Sequence, residues 1–209
     1  MTVSATGQLF IVAAPSGGGK TSLVQSLVQA LPQLKVSVSH TTRDQRPGEV
    51  EGEHYFFVSE AKFMQMKEAG EFVEHANVYG HRYGTSQVLL ENSLKQGMDV
   101  VLDIDWQGAK QLCERFTNAV SIFILPPALE TLGQRLKERA RDVGEVIRER
   151  MEKAQDEIQH FAEFEYLIIN EVFSTALKDL KSIVMASRLK TSIQTARHHD
   201  LLSLLIRSE

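Results

Sequence analysis

The chain has 209 residues, 43% hydrophobic and 24% charged, with a formal net charge of −4. This suits one ordinary globular domain, with a core large enough to need no disulfide. Nothing in that balance suggests a general polyanion binder, so nucleic acid is not an expected partner. The single cysteine, Cys113, excludes an intrachain disulfide and a Cys-rich zinc site.

Leu9 to Ala14 is a short apolar run that predicts a buried strand. A Gly-rich turn follows, then a helix from Lys20 to Leu31, stopped by Pro32. Lys35 to Ser39 predicts another strand, and the polar stretch from Thr41 to Gly52, with Pro47 and Gly48, predicts loop. Beyond it come a strand at Tyr55–Val58, a helix at Glu60–Glu68 and a strand at Glu71–His75. Asp99–Ile104 is an apolar run ending in acids, and Ala119–Leu125 is another, closed by Pro126 and Pro127. Leu129–Phe164 is helical and highly charged, Tyr166–Ile169 is a short strand, and helices finish the chain. Buried strands alternating with helices predict an α/β fold around a parallel sheet. The segments from about 40 to 87 and from about 127 to 162 look like insertions into that core. No apolar run spans a membrane or resembles a secretion signal, so a cytoplasmic protein is expected.

The strongest chemical signal is Ala14-Pro15-Ser16-Gly17-Gly18-Gly19-Lys20-Thr21, between a strand and a helix. A P-loop begins with Gly, and here Ala14 stands in that place. The other features are present. The glycines let backbone N–H groups turn inward, and the helix N-terminus adds positive potential. Lys20 would reach the β- and γ-phosphates of a nucleotide, and the Thr21 hydroxyl would face Mg²⁺. The loop specifies nucleotide phosphate without specifying a reaction.

The second signal is the loop Ser39-His40-Thr41-Thr42-Arg43, Arg46-Pro47-Gly48-Glu49 and Gly52-Glu53-His54-Tyr55. Two arginines three residues apart suit a phosphate, because each guanidinium donates parallel hydrogen bonds. Taken alone, this reads as a solvated basic loop, Glu74 as a strand-end surface acid and Tyr83 as a packed aromatic. Together with Ala14–Thr21, Glu74, Tyr83-Gly84-Thr85 and Leu102-Asp103-Ile104-Asp105-Trp106-Gln107-Gly108, however, the segment resembles the guanylate kinase family. The resemblance runs from about Gln8 to Ala186.

The resemblance implies a P-loop NTPase core with a five-stranded parallel sheet, in a unit spanning 7–186. The core is 1–38, 88–126 and 163–209. A small mixed α+β GMP-binding insertion occupies 39–87 and a helical lid 127–162. It implies phosphoryl transfer from MgATP to GMP and dGMP, in purine nucleotide metabolism. Arg43, Arg46, Tyr55 and Tyr83 are implied to bind the GMP phosphate. Ser39, Glu74, Thr85 and Asp105 are implied to surround the guanine, and Asp103 to lie near Mg²⁺ or its water shell. A carboxylate at Glu74 accepts from the guanine N–H donors, and Thr85 or Ser39 donates to O6. Adenine would set an unprotonated ring nitrogen against that carboxylate, an unpaired arrangement that discriminates strongly.

In the second insertion, Arg135 and Arg139 are one helical turn apart, and Arg150 flanks the apolar stripe Ile147, Met151, Ala154 and Ile158. Such arginines ordinarily sit on a salt-bridged surface. By resemblance, Arg139 and Arg150 are catalytic lid arginines closing over ATP, with Arg135 beside them. The family pattern puts glycine on both sides of the first; here the run is Glu138-Arg139-Ala140. Asn170 matches an asparagine near the adenine, followed here by Glu171 where the family has Asp.

A GMP phosphate, with a second pKa of about 6, is mostly dianionic at neutral pH and needs no general base. None is therefore assigned to His40, His54, His75 or His81, which read as ordinary loop or surface residues. Two readings rival this one: a monophosphate kinase of another base specificity, against which Glu74 with Thr85 argues, and a non-enzymatic guanylate-kinase-like binding module, against which Lys20, Thr21 and the lid arginines argue. Finally, Leu201, Leu202, Leu204, Leu205 and Ile206 surround most of a short terminal helix. Such a helix needs cover from the core or a second subunit, and a homo-oligomeric contact is the expectation.

Overall fold

The computed structural model describes residues 7–139 and 144–206, of which 136–139 and 144–150 are described by their backbone alone. In chain order the elements are β1 (Leu9–Ala13), α1 (Lys20–Ala30), β2 (Leu34–Val36), β3 (Ser39–Thr41), β4 (Tyr55–Phe57) and α2 (Glu60–Glu68). Then follow β5 (Phe72–Val78), β6 (His81–Ser86), α3 (Gln87–Lys95), β7 (Asp99–Asp103), α4 (Trp106–Arg115) and β8 (Val120–Leu125). The rest is α5 (Leu129–Arg139), α6 (Gly144–Ile158), a 3₁₀ turn (Gln159–Glu163), β9 (Tyr166–Ile169), α7 (Phe173–Arg188), α8 (Thr191–Arg197) and α9 (His199–Ile206).

The expected five-stranded sheet is present, in the order β2-β7-β1-β8-β9, with every pair parallel. Its central strand, β1, is Leu-Phe-Ile-Val-Ala, all five residues buried. Continuous apolar strands of this kind belong to parallel sheets covered on both faces. On one face, Leu23, Val24 and Leu27 of α1 and Ala176, Leu180 and Val184 of α7 pack on Phe10, Val12 and Val101. On the other, Leu90 of α3 and Ala109 and Leu112 of α4 pack on Ile11, Leu102 and Phe123. Each fully buried large side chain contributes roughly 1.5–3 kcal/mol over an exposed one. The buried carboxylate of Asp99 accepts 2.7 Å bonds from the Gln8 N–H and from Arg188 Nε, tying the end of α7 to the sheet.

A second sheet, β4-β3-β6-β5, is built entirely from residues 39–86. It pairs β3 with β4 in parallel and β6 with both β3 and β5 antiparallel. Phe63, Met66 and Phe72 form its small core. Two expectations are corrected here. The single strand expected at Lys35–Ser39 is two: β2 ends at Val36 in the large sheet, and β3 begins at Ser39 in the small one. His40 is neither loop nor surface. It is buried in β3, stacked on Phe56 at 4.7 Å and edge-on to Phe72 at 5.6 Å. Burial holds its imidazole below the ordinary histidine range, so it packs as a neutral aromatic.

The helices α5 and α6 pack together through Leu132, Met151 and Ala154. No described helix is long and apolar enough to cross a membrane. The tail helix α9 does not bury its apolar residues against the core: Leu201, Leu204, Leu205 and Ile206 are all exposed.

Candidate active site

The carboxyl ends of β1 and β7, adjacent strands at the centre of the large sheet, open into one crevice, where open α/β sheets place their ligands. Ala14 to Thr21 connect β1 to α1 along one wall of a cavity of about 240 Å³. Gly17 and Gly19 have φ values of 86° and 88°, in the left-handed region that glycine reaches without strain. Gly19 also lies against the Asn170 amide, so a Cβ there would collide with it. Asn170, buried at the end of β9, donates from Nδ2 to the Gly18 carbonyl at 2.9 Å and so fixes the loop from behind. Arg135 reaches the same place and donates from Nη2 to the Asn170 carbonyl at 3.3 Å.

Lys20 points back across the crevice. Its ammonium donates to the Ile104 carbonyl and lies 2.8 Å from an Asp103 carboxylate oxygen. Asp103 ends β7 and Asp105 caps α4, accepting from the Gly108 N–H at 2.8 Å. Thr21, in the first turn of α1, lines the same cavity as Asp103. A hydroxyl and a carboxylate are the hard oxygen donors that Mg²⁺ takes alongside water and phosphate, so these residues fit that ion.

Ser39, Tyr55, Glu74 and Tyr83, all from the small sheet, line the opposite wall. Glu74 is 3% exposed and accepts a 2.5 Å bond from Thr85 Oγ1. The hydroxyl of Ser39 lies 3.5 Å from that of Thr85. Burial, above all, pushes the Glu74 carboxyl up to about 7, with Asp105 adding to the effect while the Thr85 bonds and Lys20 oppose it. Its second oxygen sits over the first turn of α4, where a Cβ on Gly108 would lie 2.5 Å from Oε2. Glycine at 108 is therefore what lets the carboxylate approach.

Arg43 is buried and forms a two-pronged pair with Glu49, at 3.0 Å and 2.7 Å, while also lying 5.3 Å from the Tyr55 ring centroid. That pairing holds the Glu49 carboxyl below its ordinary range. The Tyr55 hydroxyl is pushed up to about 12, mainly by burial and then by Asp103, so it stays a donor. Arg46 is exposed and does not line the cavity; its backbone N–H donates to Glu49 at 2.8 Å. Thr85, Arg43, Arg135 and Asn170 likewise do not line the cavity. The side chains of Arg139 and Arg150 lie outside the described residues.

Three contributors are given no role by the sequence reading, although Glu49 and Gly108 stand within its motifs. Glu49 organises the acceptor loop by holding both Arg43 and the Arg46 backbone. Gly108 makes room for Glu74. Glu157, on α6, lines the cavity and accepts a 2.9 Å bond from the Ser16 N–H of the phosphate loop. Its one sequence cue is its place three residues after Ala154 on the apolar stripe.

A phosphate loop on a parallel sheet, faced across one cleft by a second small sheet, defines a P-loop phosphotransferase with a separate acceptor side. Comparison with known proteins gives the family. The guanylate kinase family model matches residues 6–187. A guanylate kinase of Legionella pneumophila (strain Paris) is 53% identical over 204 residues, covering 98% of each chain. That of Escherichia coli (strain K12) is 52% identical, covering 97% of this chain and 99% of its own. The crystal structure of guanylate kinase from Anaplasma phagocytophilum superposes with a TM-score of 0.76 at 33% identity, covering 90% of this chain and 89% of its own. The chain belongs to the guanylate kinase family.

Proposed function

We infer that this cleft divides the work of its family's reaction, the phosphorylation of GMP by ATP, between its two walls. The observation that carries the reading is one cavity bounded by Lys20 and its Gly-rich loop on one side and by Glu74, backed by Thr85, on the other. On the donor side, residues 14–21 cradle the ATP phosphates, with Lys20 leaving Asp103 to meet them. Arg135 and Asn170 shape the floor beneath, and Arg139 and Arg150 complete a lid spanning 127–162. Thr21 and Asp103 would hold Mg²⁺, which neutralises phosphate charge when bound. On the acceptor side, within 39–87, Tyr55, Tyr83, Arg43 and Arg46 take the GMP phosphate. Ser39, Glu74, Thr85 and Asp105 read the guanine; dGMP fits the same contacts, since none is assigned to the 2′-hydroxyl.

The dianionic acceptor phosphate attacks the γ-phosphorus, and the bond to the leaving ADP oxygen breaks, without a general base. Catalysis is positioning and charge neutralisation in a site from which water is excluded by closure of both insertions. Such an enzyme needs no membrane and acts on small molecules, in keeping with a cytoplasmic location. A coupled assay for ADP formation with GMP, AMP, UMP and CMP side by side tests the reading. Turnover at least about a hundredfold faster with GMP is expected, because a mismatched base leaves buried polar groups unpaired. Comparable rates with AMP would refute the assignment of Glu74.

A further inference from the structure

Helix α6 carries Lys153 and Glu157 four residues apart, hence on one face. That face touches both walls of the cleft. Lys153 Nζ lies 4.8 Å from the ring centroid of Tyr79, in the turn between β5 and β6. Glu157 Oε2 accepts the 2.9 Å bond from the Ser16 N–H. The second contact has a direct consequence. Inward-turned N–H groups of a phosphate loop are anion donors. A carboxylate oxygen already occupies one of them, inside the cavity that also holds Lys20, Asp103 and Asp105.

A carboxylate and a phosphate oxygen cannot share that N–H, and their like charges repel. We propose that Glu157 is a donor-site gating residue, whose carboxylate holds the base of the lid to the phosphate loop and is exchanged for nucleotide phosphate when the donor binds. The contact restrains α6 against the phosphate loop, so its loss on donor binding removes one restraint on that helix. The contact is suited to exchange. Burial pushes the Glu157 carboxyl above its ordinary range, while the Ser16 N–H, Lys20 and Lys153 hold it back and Asp105 adds to the rise. A charge held at that cost yields readily to an anion that the loop binds with more donors.

The proposal rests on the reading of residues 14–21 as the donor site, and its test keeps the two apart. Glu157→Gln keeps the shape and an acceptor oxygen but removes the charge; Glu157→Ala removes both. MgADP, a MgATP analogue with a non-hydrolysable β,γ link, and GMP are each titrated calorimetrically into the parent and both variants. Relief of competition lowers the donor Kd by about threefold to tenfold in Glu157→Ala, the factor expected if a competent state of some tenth to third of the population becomes dominant. Glu157→Gln gains less, because a neutral acceptor still competes, and neither variant gains comparably for GMP. In steady state the KM for ATP falls while kcat does not rise, which a purely structural tie would not produce. Donor affinity unchanged or weakened in Glu157→Gln, or an equal gain for GMP, overturns the proposal. A parent protein that fails to bind MgADP at all overturns the donor-site reading beneath it.

Discussion

Glu74 supplies the sharpest quantitative test. Its carboxyl is pushed up to about 7 from a reference of 4.5, chiefly by burial. Guanine presents donors to it, so only the carboxylate is the binding form. The ionised fraction is about one half at pH 7 and about one tenth at pH 6, so the Kd for GMP should rise about tenfold per unit below 7 and level off above about 8. The GMP phosphate titrates too, with a second pKa near about 6. The informative quantity is therefore the ratio of Kd between Glu74→Gln and the parent. At pH about 8 that ratio should be about 10 to 100, the worth of a charged hydrogen bond at roughly 1.5–3 kcal/mol, and it should collapse towards unity near pH 5.5. Calorimetry at pH about 7 in two buffers should show the parent releasing about half a proton more than the variant on binding GMP. A ratio that stays constant across pH would refute the argument. Stability should move the opposite way. The folded carboxyl lies above its unfolded value, so as pH rises from about 4.5 to 7 the unfolded state loses its proton first. The free protein then loses up to about 3 kcal/mol, a loss that urea melts should find absent in Glu74→Gln.

Gly108→Ala should push the Glu74 carboxylate aside, since the new Cβ would lie 2.5 Å from Oε2. A cost of about 1–3 kcal/mol for such crowding predicts a rise in KM for GMP of about fivefold to a hundredfold, with KM for ATP little changed. Equal effects on both would mean the helix, not the guanine pocket, was damaged. Lys20→Ala should cut kcat by on the order of a hundredfold or more while the fold survives, because it removes one cation from a water-poor site. Circular dichroism beside turnover checks this, and a folded variant with near-normal turnover would refute the role of the loop.

What the sequence determined is what is contiguous. The phosphate loop is legible because eight consecutive residues, between a buried strand and a helix, suffice to build it. The strands of the large sheet are legible because burial on both faces demands apolar runs such as Leu9–Ala13. The acceptor side was legible only by resemblance, because its parts come from residues 39 to 105 and meet only when two sheets face each other. The strand at 81–86 leaves little signal: His-Arg-Tyr-Gly-Thr-Ser is polar, and Gly84 is there to admit Phe72 and Phe63, whose rings would lie 3.0 Å and 3.1 Å from a Cβ. The break between β2 and β3 is equally silent, since an extended backbone does not announce which sheet it will join. His40 looked like a loop residue because nothing local reveals the Phe56 ring stacked on it. Glu157 lies 141 positions from Ser16, and no pattern on α6 tells which of its acids will turn from solvent to the phosphate loop. Local chemistry wrote the loop and the core. Tertiary packing alone decided which carboxylates are buried, and burial is what moves their charge and gives them work.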